Sequence, residues 1–339
     1  MSKIITIQMI ADELKLSRNT VSKALNNRHV SKETKELVIN KAKELGYKGF
    51  GYQKAEKKEK KTNILLLAGK PIYDLDFFVN FARGMESSTL SSKVDIFQYT
   101  YSKSSTFDQL EKYIESLEID GIIGIELYTH SLLINILNLN IPIVFIDSSI
   151  NLKYSEGNYD VLLMENRDSV YKICSNLIDQ GYNRLTFCGD HLHCLGFNER
   201  FLGMRDSLDD INHRIDMNQQ LLLPDNSPFG DIDWMVSKIK KLKYKPHVFV
   251  CANDSIARSV VNALLKMNVK VPDDVQVIGF DNTIESTIES PKITTVNVNK
   301  ELLGKEALHL LIERINREGS PSKKIYINTN IIYRETTFQ

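Results

Sequence analysis

From Asn63 onward, apolar runs of strand length alternate with stretches of helical spacing, and this alternation limits the possible folds more than any other feature of the chain. Asn63–Ala68 (NILLLA) is a continuous apolar run, the pattern of a parallel strand buried on both faces. A helical stretch follows at Phe77–Ser88, then strands at Val94–Tyr99, Gly121–Ile125 and Ile143–Asp147, with helices near Thr106–Leu117 and Ser131–Leu139 between them. A second series places strands at Val161–Met164, Leu185–Gly189, Ile215–Leu222, Val248–Ala252 and Val275–Phe280. Its helices fall near Arg167–Gln180, Phe197–Asp210, Ile232–Leu242 and Asp254–Lys266. Repeated strand–helix units of this length imply parallel sheets covered by helices on both faces, and two series imply two lobes.

The N-terminal residues follow a different pattern. Thr6 can cap a helix over Ile7–Leu14 whose Ile10, Ala11 and Leu14 are apolar. Lys15-Leu16 leaves room only for a tight turn into Ser17, another good N-cap. In the stretch Ser17–Asn26, Val21, Ala24 and Leu25 share one helical face, while Arg18, Asn19, Ser22 and Lys23 point elsewhere. Two short helices joined this closely form a helix-turn-helix. An outer face of Arg, Asn, Ser and Lys suits the DNA major groove, where such side chains reach base edges and phosphates. A third helix, Ser31–Leu45, starts at a capping serine, ends before Gly46, and offers Leu37, Val38, Ala42 and Leu45 to cover the other two.

Charge separates the same regions. The formal net charge is zero, but residues 1–61 carry 15 Lys and Arg against 7 Asp and Glu, and the remainder carries 28 against 36. A basic head suits a polyanion and an acidic body would be repelled by one, so duplex DNA is expected at the head alone. No apolar run approaches the roughly 18 residues of a membrane span, and no signal-peptide hydrophobic region follows Met1-Ser2-Lys3, so a cytoplasmic protein without a membrane partner is expected. Four scattered cysteines, Cys174, Cys188, Cys194 and Cys251, do not form a disulfide framework.

The stretch ITIQMIADELKLSRNTVSKALNNRHVSKETKELVINKAKELGY resembles the N-terminal domain of the lactose-repressor (LacI/GalR) family of bacterial transcription regulators. The shared pattern is T-(I/L)-x-x-(V/I)-A, S-x-x-T-V-S-(R/K)-x-L-N, V-S-x-x-T-(R/K) and L-G-Y. The body is similar to that family's effector domain in D-G-I-I-G, I-P-I-V-F-I-D, Q-G-Y-N-R-L-T-F, E-R-F-L-G, C-A-N-D, G-F-D, P-K-I-T-T-V and Y-R-E-T. The resemblance implies an N-terminal all-α helix-turn-helix DNA-binding domain followed by an α/β, periplasmic-binding-protein-like, two-lobed effector domain. The expected division is 1–47 for the DNA-binding domain, 48–62 for a lysine-rich linker, and 63–339 for the effector and dimerisation domain. Within the last, lobe 1 is expected at about 63–160 and 293–321, and lobe 2 at about 161–292 and 322–339.

The linker departs from the family's hinge-helix signature. Gly49 stands for its Pro, Phe50 for its Asn, Gln53 for its Ala and Glu56 for the Leu that wedges into the minor groove; only Lys54 keeps the charge type. A carboxylate is unfavourable in a narrow, electronegative groove. Affinity is therefore expected to depend on the helix-turn-helix and on Lys57, Lys58, Lys60 and Lys61.

In the head, Arg18 and Asn19 are expected to read bases with Lys23 also aimed at the groove, while Thr6, Ser17, Thr20, Ser22, Asn26 and His29 bind phosphates or fix register. In the body, Asp147, Asn253 and Asp281 sit at or just past strand C-terminal ends, where side chains of a parallel sheet meet a ligand. With Arg200 they match the family's effector contacts, and Asp76, Phe77, Phe197 and Trp234 join them as a polar residue and stacking aromatics. Capping of the next helix or turn is the alternative role for Asp254 and Asp281, and core packing is the alternative for the aromatics. The segment Cys188-Gly-Asp-His191-Leu-His193-Cys194 holds four zinc-type ligands, yet its spacing matches no common zinc module, so an ordinary strand and loop beside the pocket is expected. No nucleophile elbow, P-loop or dinucleotide fingerprint is present. The expected protein is thus no enzyme and uses no cofactor. It is a dimeric, ligand-responsive regulator that represses sugar-utilisation genes at a palindromic operator. The rivals are a response to a nucleobase or phosphorylated compound, or a ligand-binding protein without operator function.

Overall fold

The computed structural model describes residues 5–25, 30–47, 61–69, 75–152, 157–288, 290–317, 319 and 321–338. The chain divides into two compact units, Met1–Lys61 and Thr62–Gln339. Asn26, His29, Gly49, Phe50, Gln53, Lys54 and Glu56, and with them the linker reading, lie outside the described residues.

The first unit holds α1 (Ile7–Leu14), α2 (Arg18–Leu25) and α3 (Lys32–Glu44). Thr6 caps α1 by accepting the Met9 N–H at 3.4 Å, Ser17 accepts that of Thr20 at 3.0 Å, and Ser31 that of Thr34 at 3.2 Å. The α1–α2 turn is made by Lys15 in the left-handed region (φ 53°), with the Leu16 N–H donating to Ala11. Ile10, Ala11, Val21, Ala24, Leu25, Val38 and Ala42 form one small core. Leu37, expected in that core, is 53% exposed: Val38 and Ala42 already fill the seam, and Leu37 lies about 100° round the helix from Val38. Leu45 packs at the margin as a partly buried residue.

The second unit begins with β1 (Thr62–Ala68), α4 (Leu75–Ser87), β2 (Val94–Thr100), α5 (Phe107–Ser116), β3 (Gly121–Ile125), α6 (His130–Asn138), β4 (Ile143–Ile146) and β5 (Tyr159–Met164). Then come α7 (Arg167–Asp179), β6 (Leu185–Cys188), α8 (Leu195–Asp209), α9 (Ile232–Ile239), β7 (Val248–Cys251), α10 (Asp254–Lys266), β8 (Gln276–Ile278), α11 (Glu285–Ile288) and β9 (Thr295–Asn297). The chain closes with α12 (Lys300–Asn316), β10 (Lys324–Ile327) and β11 (Asn330–Ile332). A six-stranded parallel sheet in the order β10-β5-β4-β3-β1-β2 forms one lobe. The other lobe carries the parallel sheet β6-β7-β8 and the antiparallel pair β9-β11. The chain passes between the lobes after β5, before α12 and after β10, and α12 packs on α4, β3, β4 and β5 of the first lobe.

Two expectations are corrected here. Residues 161–164 and 324–327 belong to the first lobe, because β5 pairs with β4 and β10 with β5, and residues 294–297 belong to the second, because β9 pairs with β11 and Thr294 bridges Ile278. A buried carboxylate fixes this arrangement: Asp160 on β5 accepts two hydrogen bonds from Arg314 of α12, at 2.5 and 2.7 Å, and one from the Lys323 N–H at 2.6 Å. An apolar run marks a strand without naming its neighbour. Ile215–Leu222 is the second case, for it forms a short 3-10 turn at Met217–Gln219 and a single bridge from Leu221 to Cys188. Asp216 accepts the Asn218 N–H at 2.9 Å, a local bond that competes with a sheet ladder.

Candidate functional site

The outer face of α2 follows directly from its inner one. With Val21, Ala24 and Leu25 committed to the core, the 100° helical step leaves Arg18, Asn19 and Lys23 exposed and Ser22 half-buried. Ser17 and Thr20 hold each other at the helix start, their hydroxyl oxygens 2.8 Å apart. Arg18 and Asn19 therefore project from a capped and rigidly packed first turn.

In the second unit a cavity of about 450 Å³ is lined from both lobes. That lies in the range of small-molecule sites, roughly 300–1,000 Å³. Phe77, Asp147, Phe197, Arg200, Asn253 and Asp281 all line it. Asp76 and Trp234 do not. The Asp76 carboxylate is drawn to Lys300 Nζ at 2.9 Å and to the Asn80 amide at 2.9 Å. Trp234 sits on α9, edge-on to Phe229 at 5.8 Å with the Lys238 ammonium 5.1 Å from its ring centre.

The cavity is built from strand ends with unusual backbone geometry. Glu126 follows β3, Asp147 follows β4, and Asp281 lies three residues past β8, with φ of 55°, 60° and 99°. Non-glycine residues seldom adopt this left-handed region, and such residues gather at functional sites. Here the turn directs each carboxylate across the top of its sheet. Asp147 accepts N–H bonds from Ser148 at 2.6 Å and from Gly196 at 3.1 Å, the latter on the opposite lobe. A Cβ on Gly196 would lie 2.7 Å from Asp147 Oδ2, so any larger residue requires the carboxylate to shift. Burial raises the Asp147 carboxyl above its ordinary range, and the two N–H donors work against that shift.

Arg200 is 3% exposed, and its guanidinium binds three neighbours. Nε donates to Asn166 Oδ1 at 3.0 Å, one terminal nitrogen to the Ala252 carbonyl at 2.5 Å, and the other to Asp281 Oδ1 at 3.3 Å. The plane rests on the Phe280 ring, 3.5 Å from its centre. Asn253 caps α10 by accepting the Ile256 N–H at 2.9 Å. The neighbouring Asp254 is wholly buried and accepts from the Thr283 N–H at 2.8 Å and the Thr295 hydroxyl at 2.6 Å. Burial drives its carboxyl up to about 7, the Thr295 bond pulls it down, and the Asp281 charge raises it further.

Residues outside the expected set complete the lining: Glu126, Tyr128, His193, Cys194, Asp225 and Glu285. Tyr128 meets His193 edge-on at 4.8 Å across the lobes, and His193 Nε2 lies 3.6 Å from Asp225 Oδ1. The Cys188–Cys194 segment divides its ligands. Cys188 is buried in β6 in register with Cys251, while Cys194 caps α8 by accepting the Phe197 N–H at 3.5 Å. No group of three or more His, Cys, Asp or Glu side chains placed to hold a metal ion occurs among the described residues.

The family model of a periplasmic binding protein-like domain matches residues 175–337. The NTD biosynthesis operon regulator NtdR of Bacillus subtilis is 29% identical over 98% of this chain and 99% of its own length. The HTH-type transcriptional regulator RegA of Clostridium saccharobutylicum is 27% identical with the same coverage. The repressor PurR of Mannheimia succiniciproducens is 25% identical over 98% of both chains. Over nearly its whole length the chain is thus similar to HTH-type transcriptional regulators. Among solved structures, a CelR–cellobiose complex aligns with a TM-score of 0.72 at 21% identity over 98% of this chain and 99% of that one. The lac repressor dimer bound to operator and an anti-inducer aligns at 0.67 and 19% identity over 99% and 100%. These likenesses fit an N-terminal helical domain joined to a two-lobed α/β domain. NtdR, RegA and PurR are transcriptional regulators rather than enzymes. No helix among the described residues is long and apolar enough to cross a membrane.

Proposed function

We propose that the chain is a LacI/GalR-family cytoplasmic repressor of carbohydrate-utilisation genes that binds a palindromic operator as a homodimer and takes a sugar-like effector in its inter-lobe cavity. The observation that carries the reading is the convergence of Asp147, Arg200, Asn253 and Asp281 from both lobes on one cavity beside Phe77 and Phe197. Carboxylates and an amide pair with hydroxyls, Arg supplies planar donors, and aromatic faces cover the apolar side of a sugar ring. Arg18 and Asn19 read base edges with Lys23 beside them, while Thr6, Ser17, Thr20, Ser22, Asn26 and His29 hold phosphates and register.

Coupling runs through lobe closure. An effector touching both walls favours one inter-lobe angle, and operator affinity changes by no more than its differential affinity for the two states. Relatives support a small-molecule response: one similar structure is described with cellobiose, another regulator of the family with ribose. The second reading is a non-sugar effector, a nucleobase or phosphorylated compound, and the PurR relatives leave room for effectors other than sugars.

The test is fluorescence anisotropy of the full chain on labelled DNA from upstream of its own gene, at two salt concentrations, with and without sugars and purines. The expected result is saturable, salt-dependent binding that one sugar shifts at least about fivefold, the lower end of typical coupling. Equal affinity for unrelated DNA at both salts removes the operator reading. A shift produced by purines alone removes the sugar.

A further inference from the structure

Lys300 is the first residue of α12, where the chain returns to the first lobe after β9. Its side chain is only 6% exposed, and a buried ammonium is costly unless its charge and its donors are met. The groups that meet it come from opposite lobes. Nζ lies 2.9 Å from Asp76 Oδ2, in the first turn of α4, and donates to the Asn282 carbonyl, in the loop after β8, at 3.2 Å. Each partner adjoins a residue of the cavity wall: Phe77 follows Asp76, and Asp281 precedes Asn282.

Both ends of this connection are rigid. In the first lobe α12 and α4 pack so closely that a Cβ on Gly84 would collide with the Glu301 carbonyl, and one on Gly304 with that of Phe81. Arg83 and Glu301 add an ion pair at 3.3 Å. Lys300 is thus held to α4 by its own helix as well as by Asp76. In the second lobe Asn282 is fixed from three directions. Its N–H donates to Thr295 Oγ1 at 3.3 Å, and its side chain bonds Asn297 at 2.8 Å and Arg334 at 2.6 Å. An ammonium link between two stiff walls sets their separation, because a hydrogen bond is lost soon after it is stretched past its ordinary length.

We infer that Lys300 is a positioning residue for the inter-lobe cavity: its ammonium joins α4 to the Asp281–Asn282 loop and holds Phe77 and Asp281 at their present separation. A molecule that fits the cavity at this width keeps the link, and one that needs a different width must break it. Lys300 therefore acts on ligand choice without lining the cavity. The consequence for effector response rests on the cavity being the effector site, whereas the link itself does not.

Pulsed electron paramagnetic resonance on the full chain, without ligand, tests the link. Spin labels go on Lys112→Cys in the first lobe and Lys240→Cys in the second, both at exposed positions, with unlabelled chain added to dilute the label. The four native cysteines are buried and take up little label. Lys300→Met keeps the apolar stem and removes the ammonium, while Asp76 remains favourable near the N-terminus of α4. The expected result is a mean label distance shifted by about 2 Å or more, the size of an ordinary hinge rearrangement. Asp76→Ala, in which the ammonium loses its counter-ion, should shift the distance in the same direction, and it decides alone should Lys300→Met not fold. An unchanged distance, even at a lowered Tm, would overturn the inference by reducing Lys300 to a local stabiliser. Since no effector enters the measurement, that outcome would leave the reading of the cavity as the effector site standing.

Discussion

The Asp147 carboxylate accepts the backbone N–H of Gly196 at 3.1 Å, and this bond ties the end of β4 in one lobe to the first turn of α8 in the other. Both ends of the contact are buried, so it competes with little water. Gly196→Ala would place a methyl 2.7 Å from Asp147 Oδ2 and displace the carboxylate that joins the lobes. The expected cost is about 1–3 kcal/mol, typical of overpacking, read as a fall in Tm of the free protein. Effector affinity should fall with it, since the displaced Asp147 carboxylate lines the cavity. An unchanged Tm would show that the lobes do not rely on this approach.

Arg200 gathers groups from separate parts of the chain: Asn166 after β5, Ala252 after β7 and Asp281 after β8. Arg200→Lys keeps the charge but loses the planar fork and its stacking on Phe280. Breaking a buried, hydrogen-bonded charge network costs about 3–5 kcal/mol. Urea unfolding should report a loss of that order, and calorimetry should report lost effector binding. Retention of both would mean that a point charge suffices.

Asp147, Asn253 and Asp281 were legible in the sequence because a strand's C-terminal end is a place that periodicity defines, whereas Arg200, inside α8, came from the resemblance. Glu126 obeys the same rule, one residue past β3, and was open to the same reading. His193, Cys194, Asp225 and Glu285 were not, since they lie at loops and short helix starts whose path depends on tertiary contacts such as the Tyr128–His193 meeting. Asp76 and Trp234 misled for a related reason: their spacing fits a pocket wall, but Lys300 and Phe229 claim them first. The lobe boundary failed at β5 and β10 because the buried Asp160–Arg314 pair, more than 150 residues apart, decides the pairing. In the head, caps and apolar faces are local signals, and Ser17, Ser31 and the Val21–Ala24–Leu25 seam occur as read.

For the DNA-binding face, Arg18→Ala and Ser22→Ala separate two kinds of contact. Arg18 projects from the first turn of α2, so its loss should cost about 1–3 kcal/mol on the cognate operator and relax preference at one base position. Loss of a phosphate contact in Ser22→Ala should instead weaken all sequences alike. Competition anisotropy with single-base operator variants distinguishes them. A uniform loss in Arg18→Ala would move base readout elsewhere on the helix.

Glu56 stands where related hinges carry the wedging Leu. Operator binding that relies on the helix-turn-helix and the linker lysines should be unchanged or strengthened in Glu56→Leu. Replacing Lys57, Lys58, Lys60 and Lys61 by Gln together should lower affinity and flatten its salt dependence, by close to one unit of slope per lysine that contacts phosphate. A large loss in Glu56→Leu would show that the carboxylate itself serves operator binding.

Asp254 links protonation to stability. Its carboxyl is pushed to about 7 by burial against an ordinary value of about 4, so between these values the folded chain holds a proton that the unfolded chain releases. The stability this group supplies is fully present below the unfolded value and is lost as pH rises through about 7. The groups facing it act in both directions: Asp281 raises the carboxyl, while Arg334 and the Thr295 and Thr283 donors lower it. Asp254→Asn removes the titration and keeps a side-chain oxygen for the Thr283 N–H. Wild-type Tm should decline between pH 5 and 7.5, and the variant should show a smaller decline over the same interval. Parallel slopes for the two proteins would place the titration on another group.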